Sequence, residues 1–395
     1  MLRSVKEFTI LPRTMVFMIE KIEKVLLLPH NRSQFDVIPS MVQGIKSGLE
    51  ACGINVLVPE GSTLEEFMNV IHEYRPDVTW GINIFVGYDL LNIPHIQLSL
   101  DAMTYDDSSI VEQRHLIQLY VEKNSVDLLS SLSSVPTLWF PHAISQTDIE
   151  QARTRVKKKD FDVVMLGTLL DHEAERKYWR RFFSHAYIEQ FEDIVEKSLE
   201  NPQLSIHKES LKLIEQSEEI QNILGKHDIH LWSFVNSIER YMRGLDRKRV
   251  LEACKGRKIH LFTGFSIPAW VEMLPSVEFY EPIPFSRVLE ICQRSQVVIN
   301  SCPMIRKGLH ERALLGIISG ATLVTSSLSL LPQWLDSVVT YTTSTLDTLP
   351  ERMAAVQKKN WYESLLWAEK KHTWEARLKK LLPLLNSLLC QVDFN

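Results

Sequence analysis

The residues best placed to do chemistry share one stretch, 297–327, which reads VVINSCPMIRKGLHERALLGIISGATLVTSS. An apolar strand pattern runs out at Asn300 and Ser301, and a loop follows with Arg306, Lys307 and Gly308. A helix then opens near Leu309, and Gly320 closes it before another apolar strand. Such a loop offers free backbone N–H groups and the positive end of a helix dipole beside two cations, a combination suited to a diphosphate. The plainer alternative is two solvated loop charges and a glycine that only turns the chain. The glycine spacing is not G-x-G-x-x-G and no G-x-x-x-x-G-K-[ST] occurs, so neither a dinucleotide redox cofactor nor a P-loop is expected.

A loop of this kind works at the carboxyl edge of a parallel sheet, so strands must alternate with helices around it. They do so twice. Strand patterns at 25–29, 54–58, 78–85, 93–100, 117–121 and 137–140 are separated by helical patterns at 38–51, 64–74 and 125–132; in the first of these, Ile38, Met41, Val42, Ile45 and Leu49 recur at helical spacing. After a polar crossing at 145–159 the series restarts at 162–166, 259–263, 277–280, 297–301, 321–325 and 338–341, with helices at 285–294 and 309–319. The fold class that follows is α/β: two Rossmann-like, doubly wound parallel-sheet domains, 1–150 and 151–360, facing a cleft. A glycine-poor segment rich in Glu, Lys, Leu and Ile, 173–254, reads as a helical insertion in the second domain. Residues 361–395 read as closing helices that pack back across the junction, their Trp361, Trp367 and Trp374 serving packing.

Composition narrows the partners. With 45% hydrophobic and 24% charged residues the chain has an ordinary folded balance, and a net charge of −5 lacks the basic excess that binding a phosphate backbone requires. Nucleic acid is therefore not an expected partner. No apolar run approaches the roughly 20 residues of a membrane span, so no integral membrane segment is expected. Glu7, Glu20 and Glu23 interrupt the N-terminal apolar residues, which argues against a secretory signal and for a cytoplasmic protein. The five cysteines are scattered, with no CxxC pair to bind a metal.

The run from Gly308 through Glu311, Arg312 and Gly320 to ATLVTSS resembles the donor-binding segment of GT-B glycosyltransferases, specifically the CgeB-like group related to spore maturation proteins. PDVTWGINIF and IPHIQLSLDAM (76–85 and 93–103), FPHA (140–143), FDVVMLGTLLDHEAERK (161–177) and HTWEARL (372–378) resemble further pieces of that group, in its order. The resemblance implies a GT-B fold and transfer of a sugar from a nucleotide-sugar, with no metal and no cofactor besides the donor. The acceptor would be a glycan, lipid or protein. The implied first domain faces the acceptor and the second binds the donor. Transfer leaves negative charge on the departing diphosphate, which a metal-free enzyme must neutralise with cations and N–H groups. Arg176, Gly167, Arg306, Lys307, Gly308, His310 and Glu311 are the donor-side candidates, and Asp101 and His30 the candidate bases. His142 reads as a strand-exit residue near the hinge. One departure stands out: where many relatives carry an acid for the donor ribose, this chain has Leu315. Either Glu311, one turn earlier, takes over the donor hydroxyls, or the chain is a non-catalytic GT-B scaffold that binds or assembles.

Overall fold

The computed structural model describes residues 21–28, 36–59, 64–83, 93–100, 116–131, 135–154, 156, 158–264, 267–326, 328, 331–357 and 360–390, and every structural statement below concerns these. His30 and Asp101 lie outside them.

Short runs of β-branched and aliphatic residues build two six-stranded parallel sheets. The first contains β1 (Lys24–Leu27), β2 (Asn55–Leu57), β3 (Val78–Ile82), β4 (His95–Ser99), β5 (Leu116–Tyr120) and β6 (Thr137–Trp139), in the order β2-β1-β3-β4-β5-β6. The second contains β7 (Phe161–Leu166), β8 (Ile259–Phe262), β9 (Val277–Tyr280), β10 (Ser295–Asn300), β11 (Thr322–Ser326) and β12 (Val338–Tyr341), in the order β12-β11-β10-β7-β8-β9. Central strands such as β10 are apolar on both faces because helices cover both sides, as parallel sheets require. Val298 of β10 lies opposite Val164 on one side and Leu323 on the other. The chain winds outward from β7 in one direction and from β10 in the other, so the two neighbours form a topological switch point, and the region beyond their carboxyl ends is where open α/β sheets place a binding crevice.

The polar crossing is not simply extended. Ser145 and Asp148 form a reciprocal capping box that starts a helix, Gln146–Arg153. The segment read as an insertion folds into helices His172–Trp179, His185–Glu200, Ile206–Glu215, Glu218–Lys226 and Leu231–Ala253 around a core of its own that includes Trp179, Phe191 and Phe234. Its last helix belongs equally to the second sheet, since Val250 and Leu251 pack beneath β7 and β8.

The closing helices bind both halves. Trp361–His372 lies on helix Glu311–Ile318, where Trp361 Nε1 donates to Ile318 O at 2.7 Å. Thr373 then breaks the helix and caps the next, Trp374–Leu389, which places Trp374, Leu378, Leu381 and Leu385 in the core of the first sheet. Cys302 and Ile305, from the loop after β10, enter that same core. The two halves therefore share apolar surface beside the crevice. Among the described residues no helix is long and apolar enough to cross a membrane.

Candidate functional site

The loop after β10 does not present its N–H groups to the crevice as its sequence promised. Arg306 N–H donates to Glu122 Oε2 at 2.8 Å and Lys307 N–H to both carboxylate oxygens at 3.0 and 3.2 Å. Glu122 stands at the exit of β5 in the other half, where it also caps its own helix by accepting from Asn124 N–H. Burial pushes this carboxyl up while the three N–H groups pull it back. Gly308 meets the same wall: a Cβ there would lie 2.7 Å from Val121 O. The Arg306 side chain is 2% exposed, donates to Ser198 O at 3.1 Å and faces Asp246. That carboxyl accepts in turn from Ser301 and Tyr341 hydroxyls. The Arg306–Gly308 loop is thus a bolt across the domain junction: the Arg306 guanidinium, expected as a cation open to a diphosphate, is buried against Ser198 O and Asp246, while Lys307 joins the bolt through its backbone N–H. Arg176 is likewise engaged, its Nε 2.6 Å from Glu192 Oε1, where it ties two helices of the helical segment together.

The cations that gather at the crevice are others. Beyond β7, Gly167 adopts φ 131°, a backbone conformation open to glycine, and a Cβ on it would lie 2.5 Å from Arg312 Nη1. The Arg312 guanidinium donates to Leu166 O and the Arg247 guanidinium to Thr168 O, so both reach the same strand exit. Arg247 is 2% exposed, and its Nε has no hydrogen-bond partner. Burial first, and then the charges of Arg243 and Arg312, drive its pKa down from 12.5 to about 9. Arg243 sits one turn before Arg247 on helix Leu231–Ala253. Gly244 between them lets the helix close on the strand exit, for a Cβ there would lie 2.8 Å from Leu170 O.

Opposite these guanidiniums lies Glu311, 4% exposed, between two imidazoles. Its Oε2 is 3.0 Å from His142 Nδ1, which arrives from the exit of β6, and 3.1 Å from His310 Nδ1. The two rings lie 5.0 Å apart. Neither His142 Nδ1 nor Glu311 Oε2 has a hydrogen bond of good geometry although both are buried. His310 caps helix Glu311–Ile318 by accepting from Arg312 N–H, and its Nε2 is 3.2 Å from Arg312 Nη2. Burial lowers the pKa of both histidines; the Glu311 carboxylate opposes this at His142, while the Arg312 charge deepens it at both. Leu315 is buried in the apolar core of the second sheet, leaving Glu311 to supply the carboxylate on this helix. His142, His310 and Glu311 are the types that ligate a divalent cation, and their atoms fall within 4.8 Å of one another. The adjacent guanidiniums oppose a cation there and favour an anion beside it.

The structure therefore brings Gly167, His310 and Glu311 to the crevice and places Arg176, Arg306, Lys307 and Gly308 around it in packing or bolting contacts. Sequence reading missed Arg243, Arg247 and Glu122. A signal for the first two was present: a glycine inside a long helix costs about 1 kcal/mol relative to alanine. Gly244 flanked by arginines at i−1 and i+3 marks a close approach that brings charge with it.

No protein-family model matches the chain and no curated protein matches its sequence. Its fold is similar to the DNA-modifying enzyme β-glucosyltransferase, solved in the presence and absence of uridine diphosphoglucose, with a TM-score of 0.50 and 12% identity over 91% of this chain and 99% of that one. Anabaena HepE in complex with UDP and glucose aligns over 92% of this chain and 100% of its own, with a TM-score of 0.47 and 11% identity. The two facing parallel sheets are the GT-B fold.

Proposed function

We propose that this chain is a glycosyltransferase that moves a sugar from a nucleotide-sugar donor without a bound metal. The observation that carries the reading is the gathering of Arg243, Arg247 and Arg312 at the β7 exit, with a fully buried guanidinium whose pKa is driven down to about 9. A protein keeps like charges together in a low-dielectric site when a ligand of opposite charge completes it. The helix N-terminus at Glu311 adds the dipole that a diphosphate needs, and the tight Gly167 turn leaves room for the Arg312 guanidinium beside it. In this reading the leaving diphosphate lies among the guanidiniums, which counter the charge that grows as the glycosidic bond to the nucleotide breaks. Glu311, between His142 and His310, accepts donor hydroxyls in place of the acid that Leu315 replaces. Asp101 and His30 are proposed as bases on the acceptor side. The resemblance to the CgeB-like group supports the same assignment. A likeness to a DNA-modifying enzyme does not outweigh a net charge of −5, so the acceptor is proposed to be a glycan, lipid or protein.

Thermal unfolding against a panel of nucleotide-sugars, UDP-hexoses first, tests this, because a ligand bound to the native state alone stabilises it by RT ln(1 + [L]/Kd). At least one donor should raise the Tm, and Glu311→Ala should weaken that donor more than Glu311→Gln. If no nucleotide-sugar shifts the wild-type Tm at millimolar concentration, the proposal fails. If donors bind but none is transferred or hydrolysed, the chain is a scaffold.

A further inference from the structure

Arg243 differs from its two neighbours in what holds it. Arg247 and Arg312 lean on main-chain carbonyls of the β7 exit, whereas Arg243 Nη1 lies 3.2 Å from Oε1 of Glu239, one turn earlier on helix Leu231–Ala253. The other oxygen of that carboxylate, Oε2, accepts from His207 Nε2 at 2.8 Å. His207 belongs to helix Ile206–Glu215, deep in the helical segment and far in sequence from either sheet. Glu239 and His207 are both buried, with side chains 7% and 6% exposed. Burial alone would push the Glu239 carboxyl up; the His207 hydrogen bond and the charges of His207 and Arg243 outweigh it and hold the carboxyl below its ordinary range.

A buried imidazole and carboxylate joined to a half-buried guanidinium, whose charge bears on His310 and Arg247, are more than a helix needs to pack. We propose that His207 and Glu239 are positioning residues for Arg243. They fix its guanidinium and offset part of its charge, so that Arg243, Arg247 and Arg312 coexist in the arrangement a diphosphate requires. The physical reason is preorganisation: a free arginine side chain has many rotamers, and a fork held by a carboxylate loses them before the ligand arrives. The helical segment is thereby part of the donor site, acting through one ionised carboxylate. This inference rests on the donor-site reading above.

The test is a double-mutant cycle read by calorimetric titration, with UDP and inorganic pyrophosphate as probes and urea unfolding alongside. Glu239→Gln keeps the shape and removes the charge. It should weaken both probes about tenfold in the wild-type background and leave them unchanged in an Arg243→Met background, because a contact already lost cannot be lost again. His207→Leu should reproduce the effect in smaller measure, and His207→Gln, which retains an N–H donor, should restore most of it. If Glu239→Gln is unfolded by the urea measure, the His207 pair in the two backgrounds carries the test unchanged. Equal losses with and without Arg243, or unaltered probe affinity in a folded Glu239→Gln, overturn the inference while leaving the donor site intact. A wild-type protein that binds neither probe overturns both.

Discussion

The Arg247 guanidinium offers the sharpest test of the site because stability and function should move in opposite directions when it is removed. Its pKa falls from 12.5 to about 9, a difference of 12.5 − 9, or about 3.5. At about 1.4 kcal/mol per pKa unit, keeping it charged in the folded protein costs on the order of 5 kcal/mol. The sign follows from linkage: the folded state holds this proton less tightly than the unfolded chain, so below pH 9 the charge destabilises the fold. Arg247→Met keeps the straight-chain bulk and removes the charge. It also leaves Thr168 O without its donor, a loss of about 1 to 3 kcal/mol, and relaxation around the charge trims the gain further. The net expectation is an apoprotein that unfolds in urea with its stability unchanged or raised by about 1 to 3 kcal/mol. UDP affinity should instead fall by about 30- to 1,000-fold, the loss of one charge contact worth about 2 to 4 kcal/mol. Urea melts at pH 7.5 and calorimetric titration with UDP read the two quantities separately. A variant that loses more than about 2 kcal/mol of stability yet binds UDP like the wild type would refute the reasoning, since Arg247 would then be a structural donor to Thr168 and nothing more.

Two further expectations follow from the junction and the cores. Glu122→Ala leaves the Asn124, Arg306 and Lys307 N–H groups without their acceptor, each worth about 1 to 3 kcal/mol when buried, so the halves should separate more readily. Small-angle scattering should show a larger radius of gyration than wild type without donor, and an identical radius would mean that the shared apolar surface alone sets the junction. His95 is buried and His372 half-buried, with pKa values lowered from 6.5 to about 3, by desolvation first and, at His372, by the Arg377 charge next. The unfolded chain binds these protons first, so stability should be level above about pH 7 and fall as the pH drops from about 6.5 toward 3, by up to about 1.4 kcal/mol per pH unit for each histidine. Urea midpoints that stay constant from pH 7 to 5 would contradict the burial of both rings.

Much of the fold was legible because its signals are local. Runs such as DVVML and QVVIN are too short for helices and too apolar for exposed strands, and their alternation with amphipathic segments admits little besides parallel sheets. Gly167 after β7 and the His310-Glu311 helix start were visible for the same reason, since a strand exit and a capped helix are written within a few residues. The helical segment was legible as helix and illegible as function. Its last helix carries Arg243 and Arg247 to a crevice built by strands that end at Leu166 and Asn300, far from them in sequence on either side, and amphipathic spacing says nothing about which distant loop a charged side chain will meet.

The loop at Arg306-Lys307-Gly308 shows the same limit from the other side. Its residue types are those of an anion site, and sequence by itself determined that the loop would stand at the carboxyl edge of a parallel sheet beside a helix N-terminus. Where its N–H groups point was decided by tertiary structure alone. Glu122, on the opposite half, satisfies those donors and so turns the loop into a bolt. Buried hydrogen-bond donors go to whichever acceptor the packed halves bring near, and that choice exists only after the two sheets have met.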